Sequence, residues 1–306
     1  MGIIDIALFR TLGDVLMGTV VVHAIKEKLP DSHIRFFTDP VYTGLLENNP
    51  EVNEILGATS YMEMYDKRFT LPKADHTCKL AMANHYDTCW HHNPETANQH
   101  MIDFYANRAN LDLKITDYTV RFHSTDAQLE AFKALELPDK YIVLHTTSLL
   151  ETKNWPLQYF NHLAIMLSKT YGLPIVQIGG PEDSPITGTT SLLGKTPIGL
   201  TNQVIKHASF YVGVDSGSAY LAGMAKIPTF LIMGASMGKP QVAGQLGPLV
   251  GPVGDNVHYI EPTRLQDRNC MPIPCINHCA LQKPCINTIM PQVVHEAIKN
   301  IVKEIQ

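Results

Sequence analysis

No run of apolar residues in this 306-residue chain approaches the ~20 needed to span a bilayer. Nor does the amino terminus carry the basic segment, apolar stretch and small-residue cleavage site of a secretory signal. Residue 6 is Ile where N-myristoylation needs Ser or Thr. These absences predict a cytoplasmic protein without a transmembrane segment. Positive charge is also scarce: 24 Lys and Arg stand against 29 Asp and Glu, for a formal net charge of −5. No whole-chain basic field favours nucleic acid, although a local basic groove stays open. Low-complexity blocks and short internal repeats are missing, and so is any GxGxxG. The one P-loop-like string, Gly194-Lys195-Thr196, lacks its required upstream glycine, because position 189 is Thr and Gly188 is one residue off. It reads as a loop entering a short strand.

What is present is globular: 45% apolar and 17% charged residues, enough for two domains of ordinary size. Residues 3–9 read as a buried parallel strand, 15–28 as a helix, 33–38 as a strand and 42–48 as a helix. That alternation belongs to parallel sheets. Residues 58–84 show no period and read as loop-rich; 85–92 suggest a strand and 95–109 a helix. Segment 124–139 is the expected joint. Beyond it come strand 141–145, helix 156–170, strand 175–180, a strand or turn near 194–196, helix 201–208, strand 210–214, helix 218–224, strand 229–234 and an amphipathic helix 291–305. The reading is α/β, with domains 1–136 and 137–306 meeting at a cleft lined by strand ends.

Ligands of open α/β sheets bind at the carboxyl ends of strands, and here those ends carry small polar residues. Asp14 follows the first strand through Gly13. After strand 141–145, Thr146, Thr147 and Ser148 offer hydroxyls and Lys153 a point charge suited to phosphate. Asp215 ends a strand, and Ser216, Gly217 and Ser218 open the next helix, presenting backbone N–H groups to an anion; an N-cap role for Asp215 or Ser216 is equally readable. Glu182 lies in Gly-Gly-Pro-Glu-Asp, either aimed at nucleoside hydroxyls or simply in a turn.

Six cysteines are present, four of them within sixteen residues: Cys270, Cys275, Cys279 and Cys285. Clustering of this kind in a cytoplasmic chain reads as metal binding before disulfides. A tetrahedral Zn or Fe suits four thiolates, although the gaps of four, three and five residues match no standard zinc finger. A reduced loop without an ion is the alternative.

The order and spacing of these segments resemble glycosyltransferase family 9, the ADP-heptose:lipopolysaccharide heptosyltransferases. The resemblance runs from RTLGDVLMGTVVVHAIKEKLPDSHI through LLENNPEVNEIL, HTTSLLETKNWP and IVQIGGPED to VGVDSGSAYLAGMAKIPTFLIMGAS. It implies a GT-B fold of two Rossmann-like domains, the first for the acceptor and the second for a nucleotide sugar, with the last helix free to pack back on the first. It further implies inverting transfer of a heptose-like sugar from an ADP-linked donor to a lipopolysaccharide core or other surface glycan, with no obligatory catalytic metal and with peripheral membrane association open. By resemblance, Asp14 is the general base and Lys153 contacts the donor phosphates. Thr147 and Ser148 form a phosphate-binding hydroxyl pair, Glu182 lies near the nucleoside, and Asp215, Ser216, Gly217 and Ser218 form the donor-binding turn. Two departures stand out: Tyr220 where the family usually has His, and Ser218 where Pro is frequent. Competing expectations are the same fold acting on protein or hydroxymethylated DNA, and a non-catalytic nucleotide-sugar binder.

Overall fold

The protein is described by a computed structural model covering residues 2–81, 99–234, 250–262 and 285–303. The chain folds as two compact units, Met1–Thr125 and Asp126–Gln306, a division that falls within segment 124–139. Both units alternate strands and helices and are built on parallel sheets, the expected α/β class.

The first unit runs β1 (Ile3–Leu8), α1 (Leu12–Lys28), β2 (His33–Thr38), a 3-10 turn (Pro40–Leu45), β3 (Glu54–Gly57), α2 (Tyr61–Arg68), β4 (His76–Ala81) and α3 (Met101–Arg108). Its sheet has the order β3-β2-β1-β4, parallel throughout. Strands β1 and β2 are buried on both faces, so apolar side chains fill both sides of each strand and the charged residues within them, Asp5 and Arg35, are buried as well. Helix α1 is also buried over most of its circumference. Gly18 permits that: a Cβ there would stand 2.9 Å from Leu8 Cδ2 and 3.1 Å from Phe36 Cζ, so the helix lies close against the sheet.

Residues 58–81 are not loop-rich, since they contain α2 and β4, while 82–84 lie outside the described residues. Only Met64 of α2 is buried, while Met62, Tyr65 and the following Phe69 face solvent. A single buried position leaves no helical period to read. One charge cluster sits inside the sheet. Asp5, fully buried in β1, accepts from Arg35 Nε of the adjacent β2 at 2.6 Å, and Arg68 Nε lies 2.7 Å from its other oxygen. Arg35 also donates to the carbonyl of Pro72 at 2.9 Å, tying β2 to the segment that links α2 to β4.

The second unit runs α4 (Asp126–Lys133), β5 (Ile142–His145), a 3-10 turn (Glu151–Lys153), α5 (Leu157–Tyr171), β6 (Ile175–Ile178), β7 (Thr190–Ser191), α6 (Ile198–Lys206), β8 (Phe210–Val214), α7 (Gly217–Met224), β9 (Thr229–Ile232), β10 (Val257–Ile260), a 3-10 turn (Cys285–Thr288) and α8 (Pro291–Ile301). The order is β10-β9-β8-β5-β6-β7, again all parallel. Phe132 of α4 stacks on His207, with ring centroids 4.4 Å apart, which places α4 in this unit. Trp155, Phe160, Phe210 and Phe230 form the core, and Val294 and Ile298 of α8 complete it. Gly194-Lys195-Thr196 lies just past the two-residue β7, and the Gly194 N–H donates to the Gly179 carbonyl at 3.0 Å.

Both sheets place the first strand beside the fourth, so successive crossovers leave the first strand in opposite directions. The carboxyl edge at that junction is the topological switch point of a doubly wound sheet. It lies between β1 and β4 in one unit and between β5 and β8 in the other. Among the described residues, no helix is long and apolar enough to cross a membrane.

Asp5→Ala leaves Arg35 buried without its counter-charge. We expect a loss of about 3–5 kcal/mol of unfolding free energy, measurable by urea denaturation; a loss below about 1 kcal/mol would show that the pair is dispensable.

Candidate functional site

At the switch point of the second unit, two predicted residues meet. Lys153, in the 3-10 turn after β5, donates from Nζ to Asp215 Oδ2 at 2.5 Å, and Asp215 is the first residue after β8. Both side chains are largely buried, at 18% and 6% exposure, so the pair is shielded from solvent more than a surface ion pair is. Asn154 fixes the loop that carries the lysine. Its Oδ1 accepts the Ser148 N–H at 2.6 Å and its Nδ2 donates to the Ser148 carbonyl at 3.2 Å. Ser148, Thr147 and Lys153 are thereby held in one tight loop. Trp155 anchors that loop from below by donating Nε1–H to the Ile289 carbonyl at 2.8 Å.

Ser216 is the N-cap residue of α7, in extended conformation, but its hydroxyl does not cap the helix. It lies 3.2 Å from His145 Nδ1 and 2.9 Å from the Ser218 hydroxyl, which in turn lies 2.8 Å from Tyr211 Oη. A polar chain from His145 to Tyr211 thus runs across β5 and β8, with the first turn of α7 above it. The helix start carries a partial positive charge on its free N–H groups, so an anion could be held beside Lys153. Gly213 makes the approach feasible: a Cβ there would meet Tyr211 Oη at 2.6 Å and the His145 carbonyl at 2.9 Å.

His145 and Tyr211 were not singled out by sequence. The available signal was a histidine ending an apolar strand, and strand-end position alone marks it. Burial pushes the His145 imidazole down to about 4, outweighing the opposing pull of Asp183; the ring is therefore neutral at pH 7 and serves as a hydrogen-bonding partner. Burial likewise raises the Tyr211 hydroxyl above its ordinary range, keeping it protonated.

Glu182 lies at the exposed turn after β6, at the same sheet edge. Its neighbour Asp183 shapes that turn by accepting the Gly180 N–H at 2.8 Å. Tyr220 is buried in α7, and its hydroxyl accepts the Gly251 N–H at 2.9 Å. Of the cysteine cluster, Cys270, Cys275 and Cys279 lie outside the described residues, while Cys285 opens a 3-10 turn. Among the described residues, no group of three or more His, Cys, Asp or Glu could hold a metal ion.

In the first unit, Asp14 sits in the first turn of α1, 6% exposed. Its Oδ2 accepts the Thr11 N–H at 3.1 Å and the Thr11 hydroxyl at 2.7 Å, the reach-back contact of a capping box. Arg10 Nε stands 3.6 Å from the same oxygen. Its Oδ1 accepts the hydroxyl of Tyr105 from α3. The carboxylate is therefore a cap and also a buried acceptor at the switch point of the first sheet.

The sequence model described as Glycosyltransferase family 9 (heptosyltransferase) matches residues 90–240. The chain is 24% identical over 285 residues to Lipopolysaccharide heptosyltransferase 3 of Escherichia coli K12, covering 74% of this chain and 81% of that protein. It is 23% identical over 322 residues to Lipooligosaccharide heptosyltransferase 2 of Campylobacter jejuni, covering 95% and 96% respectively. The fold is that of a solved glycosyl transferase family 9 protein from Veillonella parvula, with a TM-score of 0.72, 17% identity and coverage of 98% and 96%. It is shared with the iron-containing dodecameric glycosyltransferase TibC from enterotoxigenic E. coli, with a TM-score of 0.66, 17% identity and coverage of 100% and 77%.

For His145 the expected result is a ring that stays neutral through the physiological range. Its NMR titration midpoint should fall near pH 4, and a midpoint at or above 6.5 would contradict the burial argument.

Proposed function

The chain belongs to glycosyltransferase family 9 and is a glycosyltransferase; on that premise we propose that it moves a heptose-like sugar from an ADP-linked donor to a hydroxyl of a lipopolysaccharide core, with inversion at the anomeric carbon. The observation that carries the proposal is the Lys153–Asp215 pair at a switch point, beside the open first turn of α7. The second unit binds the nucleotide sugar and the first takes the acceptor. A glycolipid acceptor is reached by peripheral association with the membrane.

In this reading Asp14 removes the proton of the attacking hydroxyl. The acceptor oxygen forms its bond to the anomeric carbon as the bond from that carbon to the diphosphate oxygen breaks, and ADP leaves with the electron pair. Negative charge grows on the diphosphate. Lys153, the hydroxyls of Thr147 and Ser148, and the N–H groups opening α7 from Ser216 to Ser218 stabilise it. Asp215 keeps the Lys153 ammonium in place before the donor arrives. Glu182 meets the nucleoside.

Four thiols within sixteen residues, together with the iron named for TibC, support a further reading: Cys270, Cys275, Cys279 and Cys285 hold a structural zinc or iron. No step of the transfer is routed through it. Elemental analysis of protein purified without chelator should find about one equivalent; absence of both metals ends this part of the proposal.

The donor assignment is tested by thermal shift with ADP, UDP, GDP and CMP and their sugars. ADP-sugars should stabilise most, by roughly 2.7 kcal/mol at a hundred times the dissociation constant, and a preference for UDP would redirect the assignment. With ADP-heptose and a truncated lipopolysaccharide core, Lys153→Ala should lower turnover by roughly a hundredfold or more. Asp14→Asn should abolish transfer while ADP still binds, and full activity in that variant would remove Asp14 from the mechanism.

A further inference from the structure

Asp14 has a hydrogen-bond partner that lies far from it in sequence. Tyr105, 91 residues away on α3, is fully buried and donates its hydroxyl to Asp14 Oδ1. The contacts to Oδ2 are local. Thr11 donates its N–H and hydroxyl to Oδ2, and Arg10 Nε stands 3.6 Å from that same oxygen. Tyr42, from the turn Pro40–Leu45, also faces Asp14. Its own hydroxyl is held above the ordinary tyrosine value by burial, by Asp39 and by Asp14.

This arrangement has a geometric consequence. A carboxylate held at one oxygen can turn about its Cβ–Cγ bond, whereas one held at both oxygens from different elements has a set plane. Thr11 holds Oδ2 from the β1–α1 turn, and Tyr105 holds Oδ1 from the helix that follows β4. The two elements flank the switch point. A neutral donor is also suited to a base, because it places no full cation on the oxygen that must take up a proton.

We propose that Tyr105 is the positioning residue of the catalytic carboxylate, setting its orientation through the hydroxyl-to-Oδ1 hydrogen bond. The proposal rests on the reading of Asp14 as general base.

Tyr105→Phe removes the donor and keeps the ring. Turnover of ADP-heptose with a truncated core acceptor should fall about tenfold at its pH plateau, with KM for the donor unchanged. A merely structural role would weaken donor binding and folding together with turnover, so parental turnover in the Phe variant, or a fall matched by a rise in donor KM, overturns the proposal. Fluorotyrosine at position 105 keeps the hydroxyl donor and the ring. It should keep turnover within about twofold of the parent, and a loss as large as that of the Phe variant is again a refutation. Asp14→Asn separates the two ideas: an active Asn variant removes the base, whereas an inactive one with no Tyr105 effect removes only the positioning role.

Discussion

Reversal of the crossover direction beside the first strand of each sheet is the constraint on which the rest of the structure depends. Strands β1 and β5 each have their later neighbour, β4 or β8, on one side and their earlier neighbour, β2 or β6, on the other. The backbone leaving β1 and β8 turns within a few residues into a buried helix, so polar groups placed there need partners inside the protein. Each unit meets this demand with a side-chain bridge. Asp14 joins the β1–α1 turn to α3, and Lys153 joins the loop after β5 to the loop after β8.

Three aspartates show how partner chemistry separates roles. Asp5 lies between two guanidinium groups inside the sheet, and that environment suits a structural counter-ion. Asp215 takes the ammonium of Lys153, which holds a cation at the strand-end edge of the second sheet. Asp14 is held chiefly by hydroxyl and amide donors, with one guanidinium at 3.6 Å. Of the three environments, this one is best matched to the base role proposed for Asp14. The same side chain in the same sheet architecture thus meets three different settings, set by the charge of its neighbours.

Much of this was legible in the order of residues. Strands β1, β2, β5, β6, β8 and β9 are predominantly apolar, without strict alternation, because parallel strands covered on both faces have no polar side to display. The edge strands β3, β7 and β10, two to four residues long, were not legible, because pairing with a single neighbour defines them and their own composition does not. Helix α2 was hidden by its exposed Met62 and Tyr65. Within the site, Asp14, Lys153 and Asp215 could be picked out because each follows an apolar strand at short range. Tyr105 and Tyr211 carry no such local mark, since each is an aromatic residue in an apolar context like any core residue.

Alternation of apolar strands with helices, and small polar residues at strand ends, were determined by the sequence alone, because both follow from local periodicity and turn chemistry. Which strand lies beside which, and hence which strand ends share an edge, was decided by tertiary structure. The physical reason is range: a capping contact spans three residues, as between Thr11 and Asp14, whereas the bonds from Tyr105 to Asp14 and from Lys153 to Asp215 span 91 and 62. Only closure of the sheets brings those partners within hydrogen-bonding distance.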